Sequence, residues 1–264
     1  MMSNTNVDLK LDTLKDLQTL WGIRGGDWML KDMATMSCNL TKLRIQGISS
    51  QEQLEAVFNY PAIKNLYALV LDWYGFSSIE CINKLCSNEL QIQKLRLLGR
   101  APDEKTPLRF HLTLGKLELY YTYLEKEETM DALGMLPHLK FLGLAKDSFV
   151  GCKWTCKENT FTSLEELNLS NLPKLENWLI EKETMPSLKN LSIISCEKLQ
   201  RLPDNLKSLK ELETLNIRRM PTSFNSRLKQ KQGSNDTSQG GEDFEIVQHI
   251  PKFTVLDSCA SFSI

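Results

Sequence analysis

Histidine is nearly missing from this chain, with only His111, His138 and His249 in 264 residues. None of the three stands beside a serine or cysteine in a nucleophile motif, and no G-x-S-x-G elbow occurs, so hydrolytic chemistry has no obvious machinery. A G-x-x-x-x-G-K-[ST] loop is also missing; Gly115-Lys116 is followed by Leu117, so no phosphate cradle is encoded. The seven cysteines (Cys38, Cys81, Cys86, Cys152, Cys156, Cys196 and Cys259) are odd in number, scattered and free of any CxxC pair. That pattern fits a reducing compartment better than a disulfide framework, and Cys152-Lys-Trp-Thr-Cys156 has the wrong spacing for a zinc knuckle and no companion pair. Excess charge of either sign is lacking too. Lys plus Arg (32) nearly cancel Asp plus Glu (33), leaving no net field to draw nucleic acid or an anionic membrane. No apolar run approaches the roughly 20 residues of a membrane helix. The opening MMSNTNVDLK has neither the charged start nor the apolar stretch of a secretory signal. The expected location is therefore cytoplasmic, where the acceptor-like triplets at Asn39, Asn168, Asn190 and Asn235 carry no meaning.

What is abundant is leucine at regular intervals. Leu164-Glu-Glu-Leu167-Asn-Leu169 is echoed by Leu188-Lys-Asn-Leu191-Ser-Ile193 and Leu212-Glu-Thr-Leu215-Asn-Ile217. Earlier copies end at Ile45, Leu71, Leu97, Leu119 and Leu144, and a weaker one runs from Leu14 to Ile23, making nine units. The closing L-x-L alternates with period two, so it is a short strand with two side chains turned inward. One such unit cannot bury its apolar face alone, whereas stacked units share a continuous core. The spacing thus predicts an α/β solenoid. This is the leucine-rich-repeat horseshoe, with a parallel concave sheet and short helices or irregular turns on the convex side. Capping boxes at Ser50-Gln-Glu-Gln53 and Ser77-Ser-Ile-Glu80 predict helices over 51–58 and 78–86, and a third is expected from Lys126 to Leu133, ended by Gly134. Cys196 falls where the repeat turns a small group inward, and reads as structural.

With no site for chemistry, the exposed edge of each strand is left to supply function. The residues flanking the inward pair include Trp21 and Ile23, then Arg44, Trp73, Arg96 with Leu98, Tyr120 with Tyr121, and Arg218. Aromatics beside arginine are the usual anchors of protein interfaces. The sharpest expectation is one apolar and basic patch formed by Trp73, Arg96, Leu98, Tyr120 and Tyr121, against the plainer reading that Trp73 or Tyr121 packs on a neighbouring loop.

The solenoid is expected over 9–221. Residues 222–243, rich in Gly, Ser, Asn, Gln and charge, are expected to form a flexible polar segment. The apolar stretch Phe244–Phe253 opens a tail over 244–264 that either caps the last repeat or hangs free. No polar cap precedes the first unit, so the chain reads as part of a longer protein or one whose capping module has been lost.

Several phrases resemble the repeats of plant disease-resistance proteins of the coiled-coil, nucleotide-binding, leucine-rich-repeat type. They are FTSLEELNLSNLPKLENW, MPSLKNLSIISCEKLQRLPDNLKSLKELETLNI, the opening TLKDLQTLWGI and the closing Gly240–Pro251. The resemblance implies a recognition module that senses a pathogen effector, or a host protein the effector alters. It also implies contact with an upstream nucleotide-binding domain of the parent receptor. ADP or ATP would bind that domain, so no cofactor is expected in this chain. The alternative is a leucine-rich-repeat substrate receptor of a ubiquitin ligase, which would need an adaptor-binding helical motif not visible before Leu14. An extracellular receptor would need a signal peptide and L-x-G-x-I-P repeats. An enzyme comes last.

Overall fold

The computed structural model describes residues 14–36, 39–75, 90–101, 108, 110–228 and 241–256. The helix expected over 78–86, its capping box, and Cys38, Cys81, Cys86 and Cys259 lie outside these. The chain divides into two compact units, Met1–Thr122 and Tyr123–Ile264.

In the first unit, β1 (Thr19–Arg24), β2 (Lys42–Ile48), β3 (Ala68–Trp73), β4 (Lys94–Leu98) and β5 (Lys116–Tyr120) pair in chain order, all parallel. The repeat positions fall into register: Leu43, Leu69, Leu95 and Leu117 are successive partners, as are Ile45, Leu71, Leu97 and Leu119. All eight are buried, together with Leu40, Leu66, Ile92 and Leu114 one turn before each strand. Each strand begins alike. The carbonyls of Gln18, Thr41, Tyr67 and Gln93 each accept two successive amides of the next repeat, at 2.8–3.2 Å. The connections carry α1 (Trp28–Asp32) and α2 (Gln51–Phe58). The predicted capping box starts α2: the Gln53 amide donates to Ser50 Oγ (3.3 Å), and the Gln53 side chain accepts from the Ser49 amide (3.1 Å). Ile23 departs from expectation. The register shifts between Trp21 and Ile23 across Gly22, whose φ of 82° places it in the left-handed region, so Ile23 aligns with the inward Ile45.

In the second unit, β6 (Phe141–Ala145), β8 (Glu166–Ser170), β10 (Asn190–Ile194), β11 (Thr214–Arg218) and β12 (Lys252–Leu256) form the same kind of parallel sheet. Leu142, Leu167, Leu191, Leu215 and Phe253 are one set of register partners; Leu144, Leu169, Ile193, Ile217 and Val255 are the other. The described part of the tail therefore lies against the last repeat as a further parallel strand. Its Ile250-x-x-Phe253-x-Val255 keeps the apolar spacing.

Two connections in this unit are more ordered than irregular turns. β7 (Lys153–Cys156) and β9 (Asn177–Ile180) pair as a second, two-stranded parallel sheet. Trp154 stacks on Trp178, with ring centroids 5.8 Å apart and planes 15° from parallel, and meets Phe161 edge-on. Helix α3 (Glu127–Gly134) ends on Gly134 for a packing reason. The helix continues right-handed into Met135, and a Cβ on Gly134 would lie 2.9 Å from Thr160 Cβ. The segment expected to be flexible begins instead with α4 (Thr222–Leu228). Phe224 and Leu228, four apart on one helix face, are both buried there and outweigh the polar composition. α5 (Phe244–Val247) follows. The buried Asp243 carboxylate joins α4 to α5 by accepting from Arg227 Nε (3.0 Å) and Nη2 (2.9 Å).

Candidate protein-binding face

Because inward and outward residues alternate, each unit has a sheet face opposite its leucine core. In the first unit this face holds three rows. The first is Thr19, Lys42, Ala68, Lys94, Lys116; the second is Trp21, Arg44, Val70, Arg96, Glu118; and the third includes Asp72, Leu98 and Tyr120.

Trp21 is half exposed (51%), and the Arg44 guanidinium lies over its ring at 5.8 Å. Arg96 grips Glu118 in a forked pair, Nε to Oε2 and Nη2 to Oε1, both 2.7 Å. The same guanidinium sits over the Tyr120 ring at 5.6 Å. This hydrogen bond to Glu118 raises the affinity of Arg96 for its proton further, against the opposing effect of burial. Leu98 and Tyr120 are direct register partners, both partly exposed. Tyr121 follows in the left-handed region (φ 56°) and is exposed. Arg218 is exposed at the end of β11 in the second unit, among the small polar outward residues Asn168, Ser170, Ser192 and Asn216.

Trp73 is not part of this face. It is 2% exposed, its Nε1–H donates to the Arg100 carbonyl at 3.3 Å, and its ring covers Gly99. The chain leaves β3 out of register with β2, pairing Trp73 with the inward Ile48, and this turns the indole into the core. The expected patch loses its central aromatic. Tyr74 takes the outward place that Trp73 was expected to fill. It is exposed, and its hydroxyl donates to Asp72 at 3.0 Å, which raises its pKa above the ordinary tyrosine value. Tyr67, whose ring lies 5.2 Å from Lys94 Nζ, also escaped the sequence reading. The signal was present in the i, i+2 pair Asp72/Tyr74, but only the slip at Trp73 reveals which of the two neighbouring aromatics faces out.

Two of the described cysteines are buried and hold their protons tightly. The Cys156 thiol is fully buried, which pushes its pKa well above the usual range despite the hydrogen bond from Trp178 Nε1 (3.4 Å). Burial raises Cys196 to about 11. His111 Nδ1 is occupied, accepting from the Thr113 amide at 3.1 Å. Among the described residues no group of three or more His, Cys, Asp or Glu side chains is placed to hold a metal ion. No described helix is long and apolar enough to cross a membrane.

No protein-family model matches the chain. Curated proteins do. It is 30% identical over 261 residues to a probable disease resistance RPP8-like protein 4 of Arabidopsis thaliana, covering 92% of this chain and 26% of that protein. Disease resistance protein RPP8 of the same plant matches at 30% over 255 residues, with the same coverage. The chain is a leucine-rich-repeat relative of the plant disease-resistance proteins. A further such relative, the putative disease resistance protein At1g59780, is 34% identical over 166 residues, 62% of this chain and 17% of its own length. This resistance-protein relative spans about a quarter of the length of the RPP8-like proteins it matches (26%). Among solved structures, an internalin from Listeria monocytogenes aligns with a TM-score of 0.46 at 17% identity, covering 85% of this chain and 62% of that one. The repeat assignment rests on the strand registers rather than on that likeness.

Proposed function

We propose that this segment is the protein-recognition module of an intracellular plant immune receptor, sensing a pathogen effector or a host protein an effector has modified. The observation that carries the reading is the match to resistance proteins across 92% of the chain. The first unit's sheet face supports it by joining exposed Trp21, Tyr74 and Tyr121 to Arg44 and Arg96, the composition of an interface. An upstream nucleotide-binding domain of the parent protein is a second partner on this reading, and nucleotide binding belongs to that domain. The ubiquitin-ligase alternative has no observation in its favour.

The test is binding of the purified chain to a panel of secreted pathogen proteins and their host targets, with Trp21→Ala and Tyr120→Ala as probes. Each substitution is expected to weaken a true partner by about 2 kcal/mol or more if it removes an anchor, roughly thirtyfold in Kd, with unfolding midpoints unchanged. A panel with no binder, or a binder indifferent to both substitutions, contradicts the reading.

A further inference from the structure

Lysines on the first unit's sheet face are stacked in a way not seen in the described strands of the second unit. Lys94 and Lys116 are direct register partners, and Lys42 lies in the same row with only Ala68 between. With strands about 4.8 Å apart, the row spans about 14 Å, and like charges placed opposite one another destabilise a sheet. Carboxylates offset this unevenly along the row. Glu118 is committed to Arg96 and reaches Lys116 only at 3.8 Å, so one carboxylate serves two cations. Among the described residues, Lys42, Lys94 and Arg44 have no carboxylate partner. The second unit solves the same problem differently. There Glu165 stands between Lys140 (2.9 Å) and Lys189 (3.7 Å) on successive repeats, so cation alternates with anion.

We propose that the row Lys42, Lys94 and Lys116 is a docking surface for an acidic protein segment, whose carboxylates neutralise the row while an adjoining apolar side chain meets Leu98 and Tyr120. The charge is complementary to such a segment, and the aromatic and aliphatic groups lie four residues further along the same strands. A polynucleotide is the weaker fit. The chain as a whole carries a net charge of −1, so repulsion from the rest of the surface opposes a long polyanion but not a short acidic segment. This deepens the recognition reading and rests on it in one respect only, that the face binds protein.

The test is fluorescence anisotropy of the full chain at low salt with labelled peptides in which aspartate alternates with leucine. The same peptide with serine for aspartate, and a single-stranded oligonucleotide, serve as comparisons. The acidic peptide is expected to bind roughly tenfold or more tighter than the serine peptide, with the preference fading as salt rises. The K42E/K94E double variant should abolish the preference without lowering the unfolding midpoint, since Lys42 and Lys94 are exposed. If charge reversal unfolds the chain, K42Q/K94Q carries the same expectation. Equal binding of acidic and serine peptides, or an oligonucleotide that outcompetes the acidic peptide, overturns the proposal. An acidic preference with no partner in the effector panel leaves this inference standing while the immune-receptor reading fails. A panel partner that binds the face through a neutral or basic surface does the reverse.

Discussion

Trp73 illustrates how a single side chain decides what a surface is. Its indole fills the space over Gly99, where an added Cβ would come within 2.4 Å of the ring. Trp73→Ala should therefore cost about 3–5 kcal/mol of stability through lost burial and a cavity. Gly99→Ala should cost about 1–3 kcal/mol by overpacking. Denaturant melts check both, and a Trp73→Ala protein as stable as the parent contradicts the burial. The cysteines make a second residue-scale case. Cys152 is exposed while Cys156 and Cys196 are buried, so alkylation of the native chain followed by mass spectrometry should mark Cys152 and spare the other two. The same burial links stability to pH. The buried thiols hold their protons to higher pH than the ordinary thiol value of 9.0, to about 11 for Cys196 and beyond that for Cys156. Unfolded thiols lose theirs first, so above about pH 9 the unfolded state binds fewer protons. Stability then falls with rising pH by up to about 1.4 kcal/mol per unit for each such thiol. Replacing Cys196 by Ala should make the alkaline decline shallower, and an unchanged slope would show that the thiol ionises freely in the fold.

Elements are held in sequence order by what happens where each strand starts and stops. The exits use left-handed residues at a fixed offset, two beyond the last inward position: Gly47, Tyr121, Lys146, Asn171, Ser195 and Arg219 all have positive φ. Only one of these six carries a glycine, and an L residue there costs on the order of 1 kcal/mol. Ser195→Gly should accordingly raise stability by a few tenths to about 1 kcal/mol, read from the unfolding midpoint. A loss would mean the side chain contributes more than the backbone conformation costs. The last strand depends on a charged clamp. Asp243 accepts from Arg227, and the Arg219 amide donates to the Leu256 carbonyl at 3.1 Å, as the Lys252 amide does to Glu213 at 2.9 Å. Asp243→Ala leaves Arg227 without its buried partner, and should speed hydrogen exchange at Lys252 and Arg219 while Leu191 and Ile193 stay protected. Uniform protection after the substitution would show that β12 docks without the clamp. At this scale the sequence was readable wherever period and chemistry agreed. The L-x-x-L-x-L copies became strands in the expected register, and Ser50 caps α2 by accepting from the Gln53 amide while the Gln53 side chain accepts from the Ser49 amide. It was unreadable where the deciding contact comes from another repeat. Nothing local says that Lys153–Cys156 and Asn177–Ile180 will pair, because each strand is too short to announce itself and Trp154 finds Trp178 a full repeat away. The slip that buries Trp73 is likewise fixed by Ile48 and Gly99, residues of the repeats on either side.

For the molecule as a whole, each unit is a stack in which the inward leucines form the core and the outward row faces away from it. That division of labour explains why the two faces read so differently. The first unit gathers aromatics and cations, while the second presents Asn168, Ser192 and Asn216 in the corresponding row. The relatives among plant resistance proteins give such a face a context, and its row of lysines sets the chemistry of the proposed acidic partner.

Hydroxyl-radical footprinting of the native chain tests the division between faces most directly, because it reads inward and outward aromatics in one experiment. Trp21, Tyr74 and Tyr121 should oxidise quickly, whereas Trp73, Trp154 and Trp178 should react only on unfolding. Oxidation of Trp73 at the rate of Trp21, or protection of Trp21, Tyr74 and Tyr121 in the free chain, would contradict the account.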